Sequence, residues 1–298
     1  MTDEPLSPFT RQRVGRLAED VLRRAEVVGE LPTPLEPVRR AAGVRQVVDI
    51  GHLPPELEAK KPSWFKRVLG AFVFGERTAY IDRSEPLPRQ RFTEAHEATH
   101  SMCKWHEPAL KLDDSNTLDG RRLHHVVEAE ANFGASYLIF QGGRFHRRAL
   151  EEQVSMRTPL DLADGYGASR HATLHFYAEH HPDAVALLVT GRYLRWDGTL
   201  PIWRSVESPN FLGRFGRLRD LLPGGVLSTQ PGDNAPLAEI VQASRTSLDP
   251  PTTELLISDR DGTQHKFEAE AFFNQYCHFV LVVESKARRL GRRVRLAS

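Results

Sequence analysis

Only two cysteines, Cys103 and Cys277, occur in 298 residues, too few for a disulfide framework, and such usage suits a reducing cytoplasm. No run of apolar residues nears the roughly 18 that a membrane span needs. The longest, residues 184–189, has the length of a strand, so no membrane partner is expected. The opening Met-Thr-Asp-Glu-Pro-Leu-Ser-Pro is acidic and lacks the basic start and apolar core of a secretion signal. A charge excess is missing as well. The formal net charge is +1, so a polyanion would have to be met by a local patch and not by the surface as a whole. Internal repeats and low-complexity tracts are also absent.

What is present suffices for about two domains, each with a core of its own. Residues 9–28 place Val14, Leu17, Val21, Leu22, Ala25 and Val28 at helical spacing with a polar back. A short helix over 35–42 stops at Gly43, and residues 44–50 read as a strand. Two β-rich runs, 68–74 and 78–82, flank Gly75-Glu76-Arg77 as a hairpin. Residues 107–121 read as a long polar loop and 122–140 as a helix ending near Gly142-Gly143. Thr158 followed by Pro159 is good helix-start chemistry, and Ser169 caps a further helix running to about 180. Beyond Pro182 the texture turns strand-like at 184–193, 202–206, 238–243, 253–257 and 278–283, with a turn at Asp259-Arg260-Asp261-Gly262. The expected fold class is therefore α+β. Residues 1–182 form a mainly helical domain with a small β-hairpin, and residues 183–298 form an α+β domain with a basic tail.

The strongest chemical signal is His96-Glu97-Ala98-Thr99-His100. Residues four apart share one helix face, so both imidazoles can meet one ion. Glu97 then sits beside the open coordination position, where it can take a proton from water. Such a match can arise by chance, but here it lies in a segment with helical apolar spacing at Phe92, Ala95, Met102 and Cys103. A third ligand must come from elsewhere, and Glu128 on the later helix is the candidate, with His124 and His125 as weaker competitors. Glu130 is turned about 200° from Glu128 on an ideal helix, so only one of the two can face the metal. Asn132 shares the Glu128 face and can hold a ligand imidazole by a hydrogen bond. Cys103, three residues after His100, is a candidate inhibitory fourth ligand, although a lone cysteine at such spacing more often packs a core. Zinc suits this donor set.

Arg91 to His100, followed by Glu128-Ala129-Glu130-Ala131-Asn132-Phe133-Gly134-Ala135, resembles the ImmA/IrrE metallopeptidase family over roughly residues 10–180. The resemblance implies a zincin-like, gluzincin-type peptidase with His96, His100 and Glu128 on zinc and Glu97 as general base. It also implies a helix-turn-helix repressor of the Xre/Cro type as substrate, cut to derepress stress, DNA-damage or phage-defence genes, with single-stranded DNA as an activator. Some relatives carry a GAF-like sensor domain, and residues 183–298 are expected to be such a domain. Two departures stand out. Gly134 replaces a larger residue, and Ile139-Phe140-Gln141 replaces a Leu-Met-Pro ending.

Other readings compete with this one. A catalytically silent metal-binding sensor would act by binding a repressor or nucleic acid, but such a protein would more readily have lost Glu97. Arg288, Arg289, Arg292 and Arg293, with Lys286 and Arg295, could track phosphates, although such a run is more often a solvated tail. Residues 158–181 have helix-turn-helix length yet read best as a buttress of the peptidase core, with His171 and His175 as surface or core histidines. Tyr80, His106 and Tyr166 are candidates for stabilising an oxyanion, and strand 78–82 for aligning substrate as an added strand.

Overall fold

The computed structural model describes residues 6–52, 70–111, 118–229 and 235–285. These fall into two compact units. The first runs to Phe145 and includes Asp164–Ser169; the second comprises His146–Ala163 and the chain from Arg170 onward.

In the first unit, α1 (Pro8–Arg24) starts as its chemistry dictates. Ser7 Oγ accepts from the Thr10 N–H at 3.1 Å and Pro8 occupies the first turn. Val14, Ala18, Val21 and Leu22 are fully buried. α2 (Leu35–Ala42) ends where Gly43 takes φ 90, a left-handed cap that a side chain resists. β1 (Gln46–Asp49), β2 (Gly70–Val73) and β3 (Thr78–Ile81) form a sheet in the order β1-β3-β2, with β1 parallel and β2 antiparallel to β3. The hairpin read from the sequence is therefore present. Its strand 78–82 is central, however, with both edges paired, so it cannot receive a substrate strand. Among the described residues β2 pairs on one side only.

Three helices complete the scaffold: α3 (Leu87–Met102), α4 (His106–Lys111) and α5 (Leu118–Phe140). The loop expected over 107–121 is thus partly helical at both ends; residues 112–117 lie outside the described set. α5 ends at Gln141, whose φ of 53 a proline ring locked near −65° could not adopt. Its side-chain amide donates to the carbonyls of Val27 and Glu30 at 3.2 and 2.8 Å, and its Oε1 accepts from Gly29 N at 2.7 Å. Gln141 therefore ties the end of α5 to the loop after α1.

The second unit opens with α6 (Gly143–Ala149), α7 (Arg157–Tyr166) and α8 (Arg170–His180), although the first residues of α6 and the last of α7 group with the first unit. Its sheet comprises β4 (Val185–Thr190), β5 (Thr199–Glu207), β6 (Val226–Ser228), β7 (Thr252–Ser258), β8 (Gln264–Phe273) and β9 (His278–Glu284). The order is β6-β5-β4-β9-β8-β7, antiparallel throughout. Ala186, Leu188, Val280 and Val282 join one core cluster with Phe211 and Phe215 of α9 (Pro209–Phe215) and Leu237 and Val241 of α10 (Ala235–Ala243). α8 packs on β4 and β5. That contact groups α8 with the sheet, whereas sequence texture drew the division near 182. Within residues 158–181, expected to buttress the peptidase core, α8 instead buries Leu174, Phe176 and Tyr177 and packs on the sheet of its own unit. One expected strand is corrected: residues 238–243 form the end of α10. Leu237, Ala238, Ile240 and Val241 recur at helical spacing and bury one helix face, and the run of apolar letters concealed that period.

Candidate metal centre

The centre is built by α3 and α5. His96 and His100 lie one turn apart on α3, and their Nε2 atoms approach to 3.1 Å. From α5, Glu128 reaches between them, Oε2 at 3.4 Å from His96 Nε2 and Oε1 at 3.6 Å from His100 Nε2. One ligand atom from each of these three residues lies within 4.8 Å of the other two, the one such group among the described residues. Asn132 Oδ1 stands 3.1 Å from His96 Nδ1. Accepting the Nδ1 proton, it leaves the Nε2 lone pair free for a cation. Of the candidate third residues, the structure brings Glu128 and not His124 or His125 into this group, and it places Asn132 beside His96.

Two glycines allow this convergence. A Cβ on Gly134 would collide with the Thr99 side chain, so α5 can approach α3 this closely only with glycine there. A side chain there would force α5 to shift and carry Glu128 with it. A Cβ on Gly70 would crowd Thr93 and come within 2.8 Å of Glu97 Oε1, so β2 passes directly beside the Glu97 carboxylate.

The electrostatics suit a cation. Burial pushes the Glu97 carboxyl up to about 7, with Glu128 adding to the rise and His96 opposing it. His100 is pulled down to about 3 by burial and then by the neighbouring His96. Burial also opposes a charged His96, but Glu128, Glu97 and Asn132 outweigh it and raise the pKa. Burial would likewise raise Glu128, yet the His96 hydrogen bond and both histidines hold it down at about 2. The surroundings thus favour a proton on His96 and a neutral His100. Two nitrogen donors and one ionised oxygen around a single point fit a borderline divalent ion, which would replace that proton.

Behind His100 lies a chain of groups that the sequence did not reveal as one. His106 is completely buried; its Nδ1 is 3.0 Å from His100 Nδ1 and its Nε2 is 2.8 Å from Glu130 Oε2. Trp105 Nε1 donates to the same oxygen at 2.6 Å, and the Arg13 guanidinium sits 3.4 Å from the centroid of the Trp105 ring. With His100 Nε2 left free, its Nδ1–H donates to His106 Nδ1, and His106 Nε2–H donates to Glu130. Burial works against an ionised Glu130, but the His106 and Trp105 hydrogen bonds hold its pKa below the usual value. Glu128 and Glu130 therefore do point in different directions, and both serve His100: one at its metal side, the other through His106. The only signal in the sequence was a histidine six residues beyond His100, one of three candidates for stabilising an oxyanion.

That role does not suit His106, whose two ring nitrogens are taken up by His100 and Glu130. Tyr166 packs in the core with Phe140 and Phe145, and Tyr80 Oη meets Glu76 Oε2 at 3.4 Å. Cys103 is not in the ligand group. α3 ends at Met102 and Cys103 turns to ψ 82, so the spacing that put it on the ligand face no longer applies. Burial, reinforced by Glu130, pushes its thiol up to about 12, which keeps it protonated and a poor ligand. His171 and His175 stack at 4.7 Å, with His171 edge-on to Phe279 of the sheet, as histidines of a packed surface. Arg288, Arg289, Arg292 and Arg293 lie outside the described residues.

Residues 50–177 match the family model of the IrrE N-terminal-like domain, peptidase M78. No curated protein matches the chain. Among solved structures, a Mycobacterium tuberculosis transcriptional regulator is similar at 12% identity, covering 92% of this chain and 76% of that one with a TM-score of 0.51, a likeness of fold. The family match encloses His96, Glu97, His100 and Glu128, whose geometry was derived independently of it. Residues 50–177 thus carry an IrrE N-terminal-like, peptidase M78 domain.

Proposed function

We propose that this protein is a zinc-dependent endopeptidase that cleaves a helix-turn-helix repressor of the Xre/Cro type, derepressing stress, DNA-damage or phage-defence genes, with single-stranded DNA as an activator. The observation that carries the peptidase reading is the convergence of His96, His100 and Glu128 beside a buried Glu97. When bound there, zinc supplies the charge that acidifies water and polarises the scissile carbonyl. Glu97 Oε removes a proton from the attacking water as its oxygen bonds to the carbonyl carbon. The same carboxyl then returns a proton to the departing amine nitrogen as the C–N bond breaks. A carboxyl lifted to about 7 by burial is poised for both halves of that transfer, and a cation beside it favours the ionised, proton-accepting form. Asn132 and the His106–Glu130 pair orient the imidazoles so that neither ring turns during the cycle. In this proposal residues 183–298 act as the sensor and the tail beyond 285 as a nucleic-acid contact.

The test is a cleavage assay with zinc, a candidate repressor, and single-stranded DNA present or absent, beside Glu97→Gln. Cleavage by the wild type and none by the variant is the expected result. Dependence on DNA would place the trigger. Stoichiometric zinc with no cleavage in either condition would favour the silent sensor.

A further inference from the structure

The second unit holds a cleft of about 200 Å³ at the β4–β5 connection, lined by Arg192, Tyr193, Leu200, Val241, Arg245 and His278 among others. Leu200 and Val241 are buried apolar walls. His278 is also buried, and its ring stacks on Phe273 at 4.4 Å. Burial pulls its pKa down to about 4, with Arg245 opposing protonation as well, so it adds no charge at neutral pH.

The charge comes from the two arginines. The Arg192 and Arg245 guanidinium carbons lie 5.0 and 5.2 Å from the centroid of the same ring, Tyr193, and Arg245 also lies 5.0 Å from the Phe273 centroid. Among the described residues no carboxylate lines the cleft and neither arginine forms an ion pair. Two like charges drawn to one ring without a counter-charge repel each other, and an anion between them removes the repulsion. The frame that holds them is already closed. The Arg192 carbonyl accepts from Arg245 Nη2 and faces His278 Nε2 at 3.4 Å. Within the connection, Arg195 N donates to Thr199 O at 2.7 Å and Thr199 N to Asp197 Oδ1 at 2.9 Å. Little ordering is left for a ligand to impose.

We propose that this cleft binds a small organic anion, its carboxylate or phosphate group held by Arg192 and Arg245 and its compact apolar body set against Leu194, Leu200 and Val241. The planar fork of a guanidinium matches both headgroups. The volume is below the roughly 300–1,000 Å³ typical of drug-sized sites, which selects a body of about one ring. The site needs neither the metal nor the peptidase reading, so it can fail or stand alone.

The full-length protein is titrated calorimetrically with benzoate, phenyl phosphate, inorganic phosphate and benzyl alcohol. Saturable binding of benzoate or phenyl phosphate is expected, and the tighter of the two identifies the headgroup. Arg192→Ala and Arg245→Ala should each weaken it at least about tenfold. Arg260→Ala, on the exposed β7–β8 turn, should leave it unchanged. Arg245→Lys keeps the charge and loses the fork, and covers the case in which the alanine variant does not fold. No saturation by either aromatic anion at ~10 mM, benzyl alcohol binding equally well, or unchanged affinity in the arginine variants would overturn the proposal. Inorganic phosphate binding as tightly as phenyl phosphate would remove the apolar body from it.

Discussion

Helix α3 and strands β4 and β9 are all deeply buried, yet they bury opposite kinds of side chain. From Val185 to Val189 and from Phe279 to Val283 every residue is apolar and hidden. α3 hides Thr93, Glu94, Glu97, Thr99, His100 and Ser101. Burying an aliphatic side chain gains about 1.5–3 kcal/mol, whereas an uncompensated buried charge costs several. Most of the polar groups on α3 are compensated: Glu94 by Arg39 at 2.5 Å, Thr99 by the Ala95 carbonyl at 2.9 Å, Ser101 by the Ala42 carbonyl at 2.9 Å, and His100 by His106. Glu97 is the acid left over. It is 4% exposed and, among the described residues, has no hydrogen bond or ion pair. Burial in the sheet serves stability, and in the proposed peptidase burial at Glu97 serves reactivity.

The largest test of that contrast is Glu97→Gln, which should lower peptide cleavage by about 10²–10⁴-fold while metal content by elemental analysis stays at the wild-type level. Loss of metal in this variant would make Glu97 a ligand and break the division of roles. At the opposite pole, Leu281→Ala removes a fully buried side chain from β9 and should cost about 2–5 kcal/mol in denaturant unfolding, with metal affinity unchanged. Glu130→Gln weakens the chain behind His100 and should reduce metal affinity about 10–100-fold in a competition titration with a chelator. An unchanged affinity would reduce the His106–Glu130 pair to packing. Gly134→Ala should cost about 1–3 kcal/mol through overpacking against Thr99, and should also weaken metal binding, because α5 must shift and carry Glu128 with it.

The smallest effect is read in pH. The Glu97 pKa rises from 4.5 to about 7 on folding, so between those values the folded state holds more protons than the unfolded one. The stability of the metal-free protein should therefore fall as pH rises through this window, by up to about 3 kcal/mol relative to Glu97→Gln. Parallel stability curves for the two proteins between pH 4.5 and 7.5 would show that burial does not act on this carboxyl.

Elements with a clean period or strong end signals were legible. α1, α3 and α8 have apolar spacing or caps, and β4 and β9 are continuous apolar runs bounded by turn residues. α10 was misread because Ala-Ile-Val letters look alike in a strand and in a buried helix face. β8 and α9 went unseen, since β8 mixes charged and aromatic residues and α9 is only seven residues long.

At the metal centre the sequence alone determined which residues share a helix face: His96 with His100, and Glu128 with Asn132. That follows from the fixed rotation per residue of an α-helix, which acts over four positions and needs no knowledge of the fold. Tertiary structure decided everything that depends on two segments meeting. It brought Glu128 to the histidines through the glycine contact at Thr99 and aimed Glu130 at His106. It ended α3 before Cys103 and left Glu97 buried without a hydrogen-bond partner among the described residues. Such facts are set by which surfaces pack together and how closely, and no local period in the chain encodes that distance.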